Sequence, residues 1–144
     1  MESFETVVKQ ISSHTQPEQV IMDITSVKAS PVAIMHQYLK SGVVLGGHPV
    51  FGPGAKDITQ RSFILTPTNG QEETLAQKVK QYLETREARV TLMSPEEHDE
   101  VMAVVLGLAG GGSRLGSLHC HCLCRYSTEL RAFKADGKHR RGYL

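Results

Sequence analysis

The chain has 144 residues, of which 40% are hydrophobic and 22% charged, so its composition is that of one folded domain rather than a disordered segment. A net charge of +1 gives no reason to expect nucleic acid or an anionic membrane as a partner. The amino-terminal segment has no apolar stretch long enough for a signal peptide, and no later run reaches membrane-spanning length. We therefore expect a soluble, cytoplasmic protein.

The first part of the chain has the pattern helix, strand, helix. Residues 3–12 place apolar side chains at helical spacing, which predicts an amphipathic helix. The short apolar run VIMDI, residues 20–24, is typical of a buried parallel strand. Ser30 and Pro31 have the form of a cap followed by a first-turn proline, which predicts the start of a second helix that ends near Gly42.

The alternation of strands and helices continues to the end of the helical pattern. VVLGG (43–47) and SFILT (62–66) predict two strands, residues 70–86 a helix, and RVTLM (89–93) another strand. The SPEE sequence of residues 94–97 forms a capping box that predicts a last helix. We therefore predict an α/β fold, a partial Rossmann-type parallel sheet of about four strands with flanking helices.

Two polar residues follow neighbouring strands of this predicted sheet. Ligands of such sheets bind at the carboxyl ends of the strands, which directs attention to Ser26 after the first strand and His48 after the second. A hydroxyl and an imidazole would then lie at the same edge. Histidine titrates near neutrality and can accept a proton from a substrate hydroxyl. A histidine that only caps a turn fits the periodicity equally well.

Three motifs in order, DITSVK (23–28), GGHPVFGP (46–53) and MSPEEHDEVMAVVLGLA (93–109), closely resemble those of prephenate dehydrogenases of tyrosine biosynthesis. The likeness covers residues 3–109. In that family an NAD(P)-binding Rossmann domain precedes a helical domain that completes the substrate site and forms a homodimer. The resemblance therefore assigns residues 1–109 to the C-terminal half of a dinucleotide-binding domain.

The resemblance also implies roles for individual residues. His48 matches the catalytic histidine that hydrogen-bonds the ring hydroxyl of prephenate, and Ser26 matches the serine beside it and the nicotinamide. Thr25 joins Ser26 as a candidate contact to the cofactor, NAD or NADP. His98 is a candidate substrate-binding residue, with a core histidine as the alternative. The family reaction transfers a hydride from prephenate to the cofactor and releases carbon dioxide, giving 4-hydroxyphenylpyruvate; arogenate stays open as the substrate.

The remaining expectations concern Lys28 and the departures from the family pattern. Lys28 is expected to be a solvated surface lysine, with anchoring of its loop or pairing to a carboxylate as the alternative. No G-x-G-x-x-G fingerprint occurs, and GLAGGGSRLG (107–116) does not fit it, so no phosphate-binding turn is expected here. We expect a truncated and impaired enzyme with uncovered apolar faces. The alternative is a noncatalytic remnant or interaction module that binds a full-length subunit through its sheet edge.

Residues 110–144 differ from the rest in being basic and in holding all 3 cysteines. Histidines and cysteines alternate there, at His119, Cys120, His121, Cys122 and Cys124. A C-x-C-x-C run lacks the ligand spacing and the second cluster of structural zinc sites, so we predict no metal site; a metal-binding tail module is the alternative.

The reading frame offers an explanation for this composition. With permitted codons, shifting residues 110–127 by one nucleotide gives AVVLGLAHFIAIVSADT. This peptide repeats the AVVLGLA of residues 103–109 and continues as the family's helix does. We therefore interpret residues 110–144 as a non-native, frame-shifted tail that is irregular and poorly ordered, created by a short tandem duplication.

Overall fold

The structure is a computed structural model and describes residues 3–52 and 54–109, the side chains of residues 106–109 excepted. The elements in chain order are α1 (Phe4–Ser12), β1 (Val20–Asp23), α2 (Ala29–Tyr38), β2 (Val43–Pro49), β3 (Ser62–Thr66), α3 (Gly70–Glu84), β4 (Arg89–Leu92) and α4 (Pro95–Ala109). The predicted α/β fold, a Rossmann-type sheet of four strands with flanking helices, is confirmed.

The chain divides into two compact units, Met1–Met102 and Ala103–Leu144. The first unit holds every described strand. Of the second, the structure describes only the end of α4. The interpretation of residues 110–144 as an irregular tail therefore concerns residues outside the described part of the chain. No helix in the described part is both long enough and apolar enough to span a membrane.

The sheet has the order β1-β2-β3-β4 and is mixed rather than purely parallel. The pairs β1–β2 and β3–β4 are parallel, whereas β2 and β3 are antiparallel. The connection between β2 and β3 has no helix in its described residues, and antiparallel strands need no crossover helix. The sequence already carried this signal, because no helical pattern separates VVLGG from SFILT.

Consecutive residues of β2 face two different packed layers. Val44 belongs to a core cluster with Val32 and Met35 of α2, all at most 5% exposed. Leu45 lies in a second cluster with Leu65 of β3 and Ala76 of α3. Because successive strand residues point to opposite faces, α2 covers one face of the sheet and α3 the other. Both faces of β2 are therefore buried, which explains the continuous apolar run VVL at its amino end.

Side chains at their amino ends fix two of the helices. Ser94 and Glu97 form the predicted capping box of α4, with each backbone amide donating to the other side chain at 3.1 Å. The Asn69 side chain caps α3 by accepting from the amides of Gln71 and Glu72 at 3.1 Å. These caps are local in sequence, and the α4 cap was therefore predictable.

The edge strand β1 carries an apolar strip that nothing in the described chain covers. Val20 and Met22 are 49% and 40% exposed, and Ile24, next in the alternation, is 69% exposed. Leu45 of β2, which pairs with Met22, is fully buried beneath α3. The covering layer on this face thus ends between β2 and β1, and the expected uncovered apolar face is present. We call Val20, Met22 and Ile24 the β1 strip.

Candidate functional site

The two sequence-predicted polar residues lie at one edge of the sheet. β1 and β2 run in parallel with Asp23 opposite Gly46, so the loop after β1 and the end of β2 meet at the same edge. His48 lies within β2 rather than after it. Ser26 is exposed in the loop of residues 24–28, which we call the rim loop. Within the described residues no hydrogen bond joins Ser26 to His48.

The rim loop is folded by the polar residues of its own sequence. The Thr25 amide donates to Asp23 Oδ1 at 2.8 Å, and the Thr25 hydroxyl donates to the Val27 carbonyl at 2.8 Å. The Thr25 hydroxyl is therefore already used to shape the loop. The Ser26 hydroxyl makes no hydrogen bond to any residue that the structure describes, which leaves it available to a ligand.

The expectation of a solvated Lys28 is wrong. The side chain is fully buried, and its Nζ forms an ion pair with Asp23 and donates to the Gly47 carbonyl at 2.8 Å. Burial lowers the pKa of Lys28, and the Asp23 carboxylate opposes that shift. A lysine reaches a core only when its charge is paired, and Asp23 is the partner. The pair ties the rim loop to the ends of both β1 and β2.

Close packing around this ion pair requires glycine at position 46. A Cβ atom there would lie 2.3 Å from Thr66 Oγ1, 2.8 Å from Val32 Cγ2 and 3.3 Å from Lys28 Cδ. Glycine therefore lets α2 and the Lys28 stem approach the β2 backbone. This contact places the start of α2 directly over the strand that carries His48.

Three side chains form a hydrogen-bonded chain from the sheet edge to α4. His48 Nδ1 lies 2.9 Å from His98 Nε2, and His98 Nδ1 lies 2.8 Å from Asp99 Oδ1. His48 is 7% exposed and His98 is fully buried with both ring nitrogens engaged. The structure thus brings together the two histidines singled out in the sequence. Sequence reasoning missed Asp99, although it directly follows His98 in the SPEEHD motif.

The Asp99 carboxylate also caps α2. It accepts hydrogen bonds from the Lys28 amide at 2.7 Å and from the Ala29 amide at 3.0 Å. The predicted cap, Ser30, is wrong, because α2 begins at Ala29, two residues before the predicted first position Pro31, and its N-cap residue Lys28 supplies no side-chain bond. A carboxylate at a helix amino end is favoured by the free amides and the helix dipole. The cap comes from another helix, which local sequence patterns do not reveal.

Burial sets the protonation of the histidine pair. It lowers the pKa of His48 to about 4, helped by the charges of His98 and Lys28. Burial also lowers the pKa of His98, against the opposing effect of its hydrogen bond to Asp99. For Asp99 burial acts to raise the pKa, but bonds from the Ala29 amide, His98 and the Lys28 amide lower it overall. Both imidazoles are therefore neutral near pH 7 and Asp99 is ionised.

The described residues contain no group of three or more histidine, cysteine, aspartate and glutamate side chains able to hold a metal ion. The alternating histidines and cysteines of residues 119–124 lie outside the described part. The polar cluster at the sheet edge consists of the Lys28–Asp23 ion pair and the hydrogen-bonded chain of His48, His98 and Asp99.

Comparison with known proteins gives two kinds of match in sequence. The family model described as prephenate dehydrogenase, nucleotide-binding domain, matches residues 1–92. A probable arogenate/prephenate dehydrogenase of Methanocaldococcus jannaschii is 37% identical over 106 residues, covering 72% of this chain and 24% of that protein. Prephenate dehydrogenase of Bacillus subtilis is 32% identical over 102 residues, covering 65% of this chain and 28% of that protein.

Solved structures agree with these matches. Prephenate dehydrogenase of Aquifex aeolicus superposes with a TM-score of 0.59 at 27% identity, covering 74% of this chain and 44% of that chain. Arogenate dehydrogenase of Synechocystis, at 19% identity and a TM-score of 0.56, shares the fold. The chain spans about a quarter of the length of the curated relatives it matches. Because the family model matches more than half of this chain, the chain belongs to the prephenate dehydrogenase family.

Proposed function

We propose that this chain forms the proton-accepting and nicotinamide-binding part of an NAD(P)-dependent prephenate or arogenate dehydrogenase. The observation that carries the proposal is the state of His48, which lies at the ligand-binding edge of the sheet. Its Nδ1 is bonded to His98, and its Nε2 makes no hydrogen bond to any described residue. A neutral imidazole there is in the state that accepts a proton. The Aquifex aeolicus relative, solved in complex with hydroxyphenyl propionate and NAD+, supports the two ligand classes.

In the proposed reaction His48 Nε2 takes the proton of the ring hydroxyl. The bound cofactor supplies the acceptor for the hydride that leaves the hydroxyl-bearing carbon. The bond from the ring to its carboxylate then breaks, its electron pair enters the ring, and carbon dioxide departs. His48 returns its proton to the resulting phenolate oxygen, so the imidazole ends the cycle neutral. The aromatic product supplies the driving force, and the protein has to position and deprotonate.

The rim loop fits the nicotinamide end of the cofactor. Ser26 presents an unbonded hydroxyl for the carboxamide, and Val27, 56% exposed, presents an apolar surface for the ring. The amino end of α2 does not fit the pyrophosphate, because the Asp99 carboxylate already fills it. Residues other than the α2 amides must therefore bind the phosphates. The role proposed for His98 is to act through His48, since neither ring nitrogen is left for substrate.

The proposal extends to the rest of the protein. Residues 1–109 are the C-terminal half of the dinucleotide-binding domain, and residues 110–144 are a frame-shifted tail. A cytoplasmic location and homodimeric full-length relatives follow from the resemblance to the family. Sequencing the gene tests the tail: a near-identical repeat at the codons for residues 103–109 is expected, and codons incompatible with that overlap would contradict it.

Turnover by the full chain tests the assignment. Prephenate and arogenate are each supplied with NAD+ and with NADP+, and reduced nicotinamide is followed by absorbance. We expect product with at least one pair, and a rate about 10²–10⁴-fold lower in His48→Asn. His14→Asn is the matched control, because His14 is exposed and outside the site. An absence of product with all pairs, or an unchanged rate in His48→Asn, contradicts the proposal.

The exposed β1 strip favours a second candidate function, an interaction module that docks on a full-length family subunit through its sheet edge. This function predicts no turnover, together with a stable complex with that subunit that Met22→Lys disrupts. Thr74→Lys, at a polar position on the exposed side of α3, is the matched control. Retention of the complex in Met22→Lys, or His48-dependent turnover by the chain alone, contradicts this alternative.

A further inference from the structure

We infer that Asp99 is a positioning residue whose carboxylate decides which nitrogen of His48 carries the proton, and so leaves His48 Nε2 as the free acceptor. The inference rests on the proposed function, in which Nε2 takes the substrate proton. It concerns a residue that touches neither reacting atom and acts through His98. Its geometric basis is the unbroken chain of hydrogen bonds from Asp99 to the sheet edge.

The direction of the hydrogen bonds follows from the chemistry of the carboxylate. An ionised carboxylate only accepts, so the His98 Nδ1 that lies 2.8 Å from Asp99 Oδ1 must carry a hydrogen. A neutral imidazole has one N–H, which leaves His98 Nε2 as an acceptor. His48 Nδ1, 2.9 Å away, must then donate to it. With its proton on Nδ1, neutral His48 has a bare lone pair on Nε2.

Two features keep this arrangement fixed. Asp99 accepts from the Lys28 and Ala29 amides at the amino end of α2, which favours its ionised form and holds its orientation. His98 is fully buried, and among the described residues its two ring nitrogens contact only His48 and Asp99. Which nitrogen of an imidazole is protonated is set by the bond that the other nitrogen makes. The carboxylate therefore fixes the tautomers of both histidines.

The same carboxylate links the base to the rim loop. α2 has no side-chain cap of its own, and Asp99 holds the amides of Lys28, the last rim-loop residue, and of Ala29. One group thus orients the proton acceptor and anchors the loop that carries Ser26. Replacing Asp99 has two separable consequences, a loss of helix capping and a release of the tautomer, whereas replacing His98 releases the tautomer alone.

Nitrogen-15 NMR of the histidine rings measures the tautomers directly in the full, substrate-free chain. The His48 signals are assigned by their loss in His48→Asn. We expect wild-type His48 to be protonated on Nδ1 near neutral pH. In Asp99→Ala and in His98→Leu the ring proton of neutral His48 should be shared between Nδ1 and Nε2. Asp57→Asn is the matched control, because the exposed Asp57 carboxylate accepts from the Thr59 amide at 3.1 Å away from the site.

His98→Leu leaves the α2 cap intact and gives the same readout if Asp99→Ala does not fold. A wild-type His48 protonated on Nε2 overturns the inference, and so does a tautomer that stays on Nδ1 in His98→Leu. Because the measurement needs neither substrate nor cofactor, its failure is distinguishable from a failure of the turnover assay. Loss of turnover with the expected tautomers would instead count against the proposed function alone.

Discussion

Two sets of side chains on and next to β1 differ sharply in whether the described chain buries them. At the carboxyl end, Asp23 is buried with its charge paired to Lys28. Along the outer face of the same strand, the β1 strip is apolar and exposed. The charged and polar groups of the cluster therefore find their partners within this chain, whereas the apolar surface of the β1 strip is not covered by any described residue. The proposed proton acceptor is therefore held in place by residues of this chain, whereas the β1 strip has no covering layer among the described residues.

The buried ion pair should give the largest effect on stability. Lys28→Met leaves the Asp23 carboxylate buried without its counter-charge, so we expect a loss of about 3–5 kcal/mol in the free energy of unfolding. Denaturant titration measures it. The matched control is Lys9→Met, which removes an ion pair with Glu5 that is exposed to solvent and therefore contributes little to stability. If the Lys28→Met protein were as stable as the control, the Lys28–Asp23 ion pair would not be what fixes the rim loop.

Acid should weaken the fold through the neutral, buried His48. Its folded pKa of about 4 lies below the ordinary 6.5, so the unfolded chain binds more protons between these values. Stability should therefore fall as the pH drops from 6.5 towards 4, by up to about 3 kcal/mol. Unfolding curves across this range test the slope. His48→Asn should flatten it and His14→Asn should not; an equal slope in all three proteins would contradict the assignment.

The glycine contact at the start of α2 should give a smaller loss. Gly46→Ala places a methyl group against Thr66 Oγ1 and Val32, and we expect a cost of about 1–3 kcal/mol. Thermal or denaturant unfolding measures it. Gly52→Ala is the control, because a Cβ there meets nothing within 4 Å. The double variant Gly46→Ala with Thr66→Ala should recover part of the lost stability, because it removes the Thr66 hydroxyl from the contact. If no stability is recovered, the contact with Val32 is responsible for the loss.

The β1 strip should respond least in stability but clearly in association. Met22→Gln removes exposed apolar surface, so we expect a change within about 0.5 kcal/mol in the free energy of unfolding. Self-association, measured by light scattering, should decrease because the exposed patch becomes polar. Gln71→Glu, an exposed change at the start of α3, is the control. Unchanged self-association in Met22→Gln would show that the β1 strip is not the surface through which the chain self-associates.

Much of the fold was predictable because its signals are local. The helical spacing of residues 3–12, the apolar runs of the strands and the Ser94–Glu97 capping box each depend on neighbours within a few positions. The antiparallel pairing of β2 and β3 was not predicted, although the lack of a helical pattern between the two strands carried that signal. The motifs further brought His48 and His98 to attention, although only the fold places their rings 2.9 Å apart.

The remaining features depend on contacts distant in sequence. Lys28 was expected in solvent although its partner Asp23 is close in sequence, because its burial also depends on the Gly47 carbonyl on the neighbouring strand. The cap of α2 was assigned to Ser30 because Asp99 lies about 70 residues further along the chain. Neither the Lys28–Gly47 contact nor the cap by Asp99 falls within a short window of the sequence. Sequence reasoning therefore located the site but missed the groups that fix its protonation.

The pH dependence of kcat/KM with prephenate and NAD+ tests the central claim most directly, that the neutral His48 accepts the substrate proton. The account predicts an acidic limb with an apparent pKa near 4, well below the 6.5 of an ordinary histidine, and the loss of that limb in His48→Asn. An acidic limb near 6.5, or one that persists unchanged in His48→Asn, would contradict it.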